Sequence, residues 1–423
     1  MNRLVLIGNG FDLAHGLKTS YADFINWYCD KRVLKMSKST GRVSEDSLCT
    51  FKYLKEEPLF AAFIGNPNIG KGNGYGNEVI KDIIRNTYLF ETKISPFFEK
   101  IRTSIETKGW VDIENAYYAL LKKCAFPVLE NPFSTDGIAQ LNAQLLYVQG
   151  LLVQYLQEVE QQGVNEIKSI RDAIYAPFDP QDISIYGQGA LQEHVDHWIQ
   201  PQWDAVLNHK LNTYGTDMST YLAELDAWRN KNAGIYHHNA AISVYPKAFL
   251  LPNDIVFLDF NYTHTINHYI APSSVSLVNY IHGDINHSDS IIFGYGDELD
   301  EQFTRIQNLN DNAYLQNIKS IRYLEAPNYR KMLSFIESAP FQVLIMGHSC
   351  GNSDRTLLNT IFEHKNCVSI KPYYYIKNKE KGVDNYRELV QNISRNFTDK
   401  KLMRDRVVNK TYCSPLWSDV RED

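Results

Sequence analysis

The stretch "LVLIGNGFDLAHGLKTSY", residues 4–21, decides how this chain is read. An apolar run ends at Gly8, and Gly10 and Gly16 follow with Asp12 between them. A short apolar run that stops at glycine reads as a buried parallel strand. Behind it, Ser20 and Asp23 stand at capping-box spacing and Phe24, Trp27 and Tyr28 recur at helical intervals, so a helix starts near Ser20. The opening is therefore strand, glycine turn, helix. Gly8-x-Gly10 alone leaves a phosphate cradle and a simple tight turn equally open, because Leu13 stands where the dinucleotide fingerprint has its third glycine.

Partners for that first strand are found far downstream. "DIVFLDFNY", "SLVNYIHGD", "FQVLIMGHS" and "CVSIKPYYYI" are short runs rich in Val, Ile and aromatics, each bounded by turn residues. Between the last two lies "SDRTLLNTIFEHK", a helix with Ser353 or Asp354 as its N-cap. Strand, helix, strand alternation implies a parallel sheet, which must bury both faces and has room for the first strand. The expected fold is α/β, Rossmann-like, with a mostly parallel sheet and a large, mostly helical insertion. Residues 1–35 and 246–423 would form a discontinuous nucleotide-binding domain, and 36–245 the insertion. Within the insertion, helical patterns run over roughly 78–107, "VDIENAYYALLKKCAF" and "GIAQLNAQLLYVQGLLVQYLQEVEQQ". In the last, Leu141, Leu145, Val148, Leu152, Tyr155 and Val159 share one face.

Composition narrows the function. A chain of 423 residues, 44% hydrophobic and 13% aromatic, is folded. Its net charge of -6 supplies no electrostatic footprint for nucleic acid. No apolar stretch approaches the roughly 20 residues of a membrane span, and the opening is too brief for a signal peptide, so a cytoplasmic protein is expected. Six scattered cysteines without a C-x-x-C pair argue against both a disulfide framework and a thiolate zinc site.

In doubly wound sheets, ligands bind beyond the carboxyl ends of the strands. Four segments occupy such positions: "GNGFD" (8–12), "NYTHT" (261–265), "IHGD" (281–284) and "GHSCGNSD" (347–354). Each residue also has a plainer reading: Asn261 as a turn residue, His282 as a satisfied strand-end histidine, Asp354 as a helix cap. His194, His197, His237 and His238 invite a metal, but they lack a defined third ligand, and no metal is expected. Trp110, Asp112 and Glu114 read most simply as a helix N-terminus. The acidic run 294–301 reads as a solvated loop.

These motifs carry a resemblance. "LIGNGFDLAHGLKTSYADF" with "FNYTHT", "IHGD" and "GHSCGNSD" resembles the bacterial abortive-infection AbiH family over nearly the whole chain, which implies a role in defence against bacteriophage. In their order the motifs are also similar to sirtuin-type NAD-binding domains. That resemblance implies a dinucleotide held by Gly8, Asn9, Gly10 and Gly16, with Gly283, Gly347 and Ser349 lining the remainder. It implies that Asn261 serves the nicotinamide ribose and that His282 is the base. Two positions depart from the sirtuin pattern: Asp12 stands in place of a serine and Thr263 in place of an aspartate. With Asp12 facing the ribose, the catalytic set would be Asn261, His282 and Asp12, and NAD would be hydrolysed to nicotinamide and ADP-ribose. The alternatives are a nucleotide-sensing module that cleaves nothing, or a hydrolase or nuclease with another substrate. The insertion would serve a second copy of the chain or a defence-system partner.

Overall fold

A computed structural model describes residues 1–55, 60, 76–108, 112–127, 137–198, 223–224, 226–228, 246–270 and 277–417. The chain divides into two compact units, Met1–Leu17 with Gly163–Ile291 and Tyr323–Asp423, and Lys18–Gln162 with Ile292–Arg322.

The first unit is built on a five-stranded sheet, in chain order β1 (Asn2–Ile7), β2 (Ile255–Asp259), β3 (Val278–Tyr280), β4 (Phe341–Met346) and β5 (Cys367–Tyr373). All four pairings are parallel and the spatial order is β3-β2-β1-β4-β5. The five runs seen in the sequence thus become one sheet, with the amino-terminal run at its centre. Every residue of β1 and β4 is buried, as a sheet covered on both faces demands. Val5, Ile7, Phe257, Leu344 and Met346 join Ile170, Ile174 and Tyr269 in one apolar cluster. Arg3 is a charge within this core, 2% exposed. Its guanidinium donates to the carbonyls of Ile174 (2.8 Å) and Ala176 (2.6 Å) and to Gln342 Oε1 (3.0 Å), which makes the burial tolerable.

The register aligns the carboxyl ends of the strands. Tyr280, Asp259, Ile7, Met346 and Tyr373 form one row across the sheet. Strand order reverses between β1 and β4, the place where such sheets form a crevice.

The second unit combines helices Tyr21–Lys38, Gly76–Arg85, Pro96–Lys108, Ile113–Ala125 and Gly137–Glu160 with an antiparallel sheet of Val43–Glu45, Cys49–Tyr53 and Phe90–Ile94. Ser20 caps the first helix by accepting the Asp23 N–H, as the capping box predicts. The apolar face of the last helix is buried at all six expected positions. The continuous pattern expected over 78–107 is instead helix, strand, helix. Asn86 closes a turn onto Leu89, the strand "FETKI" pairs with Cys49–Tyr53, and Pro96 opens the next helix. Lys319 and Glu114 form a buried ion pair at 2.9 Å, and Glu114 also accepts the Gly294 N–H. No helix among the described residues is long and apolar enough to cross a membrane.

The turns after β1 and β4 lie against each other. A Cβ on Gly8 would stand 2.5 Å from His348 Cα, and one on Gly347, whose φ is +81°, would stand 2.1 Å from the Phe11 nitrogen. Gly16 shares the positive φ but has open space around it. Gly347→Ala is therefore expected to cost about 2 kcal/mol or more in urea unfolding. Gly16→Ala should cost only about 1 kcal/mol, the left-handed backbone penalty alone. Equal losses would refute the packing account.

Candidate functional site

Four chain segments leave the aligned row of strand ends. From β1, Gly8 starts the short helix Asn9–Ala14. Its N–H donates to Met346 O (3.2 Å), the Gly10 N–H to Gly347 O (2.9 Å) and the Phe11 N–H to Gly8 O (2.8 Å). These amides hold the neighbouring turn, and the missing side chains admit its backbone. Asn9 and Ser349 lie exposed on the two facing turns, while Gly16 is exposed at the far end of the helix.

Asp12 points inward and is 1% exposed. Thr263 Oγ1 donates to its Oδ2 at 2.6 Å, so the turn after β1 and the turn after β2 are bonded to each other. At the end of β2, Asp259 is also 1% exposed, and its Oδ1 accepts the Asn261 N–H at 2.9 Å. Burial, reinforced by the charge of Asp12, raises the Asp259 carboxyl well above the ordinary carboxylate range. Asp259 Oδ2 and Asn261 Nδ2 are buried and have no hydrogen-bond partner among the described residues. Unmet groups of this kind are uncommon in folded interiors.

Beyond β3, His282 is buried, with Nε2 3.1 Å from the Tyr323 hydroxyl and 3.3 Å from Asp354 Oδ1. Tyr323 lies parallel to the imidazole, at 2°. Gly283, which follows, packs on the backbone of Ser290. Beyond β4, His348 Nε2 is 3.6 Å from Asp354 Oδ2. The Phe260 ring stands against both imidazoles, at 5.3 Å from His282 and 4.1 Å from His348.

The structure thus brings Asp12, Asn261, His282, Gly8, Gly10 and Gly347 to one sheet edge through a continuous set of contacts. It adds residues the sequence reading left out or read otherwise. His348, in the segment 347–354, is one of them. Asp354 heads the helix Arg355–Phe362 without a side-chain capping bond and turns its carboxylate to the two histidines. Asp259 did leave a signal, as a carboxylate closing the apolar strand "IVFLD".

Other candidates resolve more plainly. Asp112 caps its helix through the Asn115 N–H, as expected. Residues 294–297 are buried rather than solvated, and Asp300 caps the helix Glu301–Gln307 and pairs with Lys122. His194 Nε2 lies 3.0 Å from the Leu251 carbonyl. Trp110, His237, His238 and the side chain of His197 lie outside the described residues. Among the described residues, no group of three or more His, Cys, Asp or Glu is arranged to hold a metal ion.

An α/β protein with a buried His and Asp cluster at the carboxyl edge of a parallel sheet is the class that these features define. Residues 4–375 match the family described as "Bacteriophage abortive infection AbiH", and the chain belongs to that family. No curated protein and no solved structure matches it.

The raised Asp259 carboxyl has a thermodynamic signature. The native state keeps this proton at pH values where the unfolded chain has released it, so its contribution is present below the usual carboxylate range and lost as pH rises through the raised value. Asp259→Asn should therefore gain stability relative to wild type as pH increases from 5 to 9, measured by urea midpoints. A difference that stays constant with pH would refute this.

Proposed function

We propose that the protein is an abortive-infection effector that binds NAD at the carboxyl edge of its Rossmann-like sheet and hydrolyses it to nicotinamide and ADP-ribose. The family match supports the defence setting. The observation that carries the chemistry is the 2.6 Å bond between Thr263 and Asp12. Where the sirtuin-type pattern has a serine after the glycine turn and an aspartate after the asparagine, this chain has an aspartate and a threonine. Here the carboxylate follows the glycine turn, the hydroxyl follows the asparagine, and the two are bonded to each other.

In this reading the positively charged nicotinamide leaves with the electron pair of its bond to ribose C1′. Water adds at that carbon, and His282 accepts the proton that water gives up. Asp12 places negative charge where the ribosyl cation develops, while a protonated Asp259 avoids a second charge that Asp12 would oppose. The buried amide of Asn261 orients the ribose or the water. With the Gly8, Gly10 and Phe11 amides spent within the protein, Asn9 and Ser349 are the groups on the facing turns for the diphosphate. Because unrestrained NAD loss kills the host, the second unit is assigned to assembly with another copy or a defence-system partner.

The test is release of nicotinamide from NAD by purified protein, followed by chromatography. Wild type should release it, and His282→Ala and Asn261→Ala should each fall by at least about 100-fold. Retention of NAD without product would replace the enzyme with a nucleotide-sensing module.

A further inference from the structure

His282 and His348 come from turns after different strands, yet one carboxylate reaches both. Asp354 Oδ1 is 3.3 Å from His282 Nε2, and Oδ2 is 3.6 Å from His348 Nε2. All three side chains are at least nine-tenths buried, where a carboxylate is costly unless cations or proton donors face it. The protonation pattern can be read from the neighbours. His348 Nδ1 accepts the Cys350 N–H at 3.0 Å, so the proton of a neutral His348 is on Nε2, towards Asp354. Cys350 reaches this position through a left-handed backbone, φ +54°, in a non-glycine residue. Asn396 Nδ2 donates to the Cys350 carbonyl at 2.9 Å and Asn392 Nδ2 to that of Ser349 at 2.8 Å. The loop is thus fastened in a strained form that presents His348 Nε2 to the carboxylate.

We infer that Asp354 is a positioning residue that holds the proton of His282 on Nε2 and, through its second oxygen, couples His282 to His348. In the proposed hydrolysis, proton acceptance then falls to His282 Nδ1, and Asp354 is the carboxylate that the two imidazoles share. The groups facing His282 among the described residues include the Asp354 carboxylate, the Tyr323 hydroxyl and the Phe260 and Tyr262 rings. His348, the Ser353 hydroxyl and the Cys350 thiol stand on the Asp354 side. Among these, Asp354 is the charged group, and an adjacent anion favours the imidazolium.

The assignment of Nδ1 as base rests on the proposed hydrolysis, but the tautomer and the coupling do not, so both are measured. Long-range proton–nitrogen correlation spectra of histidine-labelled protein, assigned with His282→Gln and His348→Gln, report which nitrogen carries each proton. The neutral His282 signal should show protonated Nε2, and Asp354→Asn should lower its titration midpoint by about one pH unit. His348→Gln should change the His282 titration in the same spectra. In NAD turnover, Asp354→Asn should shift the ascending limb of kcat/KM downwards by a similar amount and reduce kcat at least about 10-fold, with KM nearly unchanged. Asp354→Glu, which restores the charge, should recover part of both effects. A proton on His282 Nδ1, or a His282 midpoint unmoved by Asp354→Asn in protein with a wild-type melting profile, overturns the inference. Should Asp354→Asn unfold the chain, the wild-type tautomer and the His348→Gln titration still decide it. No nicotinamide release together with the expected spectra would refute the hydrolysis and leave the coupling intact.

Discussion

The site depends on one close approach, that of the turn after β1 to the turn after β4. Gly8 and Gly10 lie where any side chain would strike the backbone of Gly347 and His348, and the Gly10 N–H closes the contact on the Gly347 carbonyl. His348 and Asp354 follow that turn, beyond the carboxyl end of β4. The glycines are therefore first a packing device between two protein segments. The polar chemistry is built on what that contact positions.

Around it, the interior accepts an unusual density of ionisable groups and manages each differently. Arg3 is met by carbonyls and a glutamine, Asp354 by two imidazoles and Asp12 by a hydroxyl, while burial and Asp12 raise the Asp259 carboxyl well above the ordinary carboxylate range. The first is remote from the strand ends and supports the fold. The other three stand at or beyond the carboxyl ends of the strands, the edge at which sheets of this topology form a crevice.

The five strands were legible because a sheet buried on both faces writes itself as unbroken apolar runs, and "LVLI" and "VLIM" are such runs. The edge containing Asn261 and His282 was legible for a related reason: residues following such strands share one side. His348 and the orientation of Asp354 were not, because both depend on the left-handed turn at Cys350, a residue type that gives no hint of that conformation. The strand at Phe90–Ile94 was hidden between two true helices, where five residues are too few to interrupt a helical pattern. The Thr263 to Asp12 bond joins segments some 250 positions apart, and no local pattern announces such a pairing.

The path of the chain through its two units has a consequence for biosynthesis. β1 belongs to the first unit, yet the chain leaves that unit at Leu17, returns at Gly163, departs again at Ile291 and comes back at Tyr323. The central strand of the sheet must therefore wait as an unpaired apolar segment until Ile255 and then Phe341 have been synthesised. At translation rates of about 5–20 residues per second, that wait lasts on the order of ten seconds or more, a window in which a nascent chain invites chaperone capture and a truncated one invites aggregation.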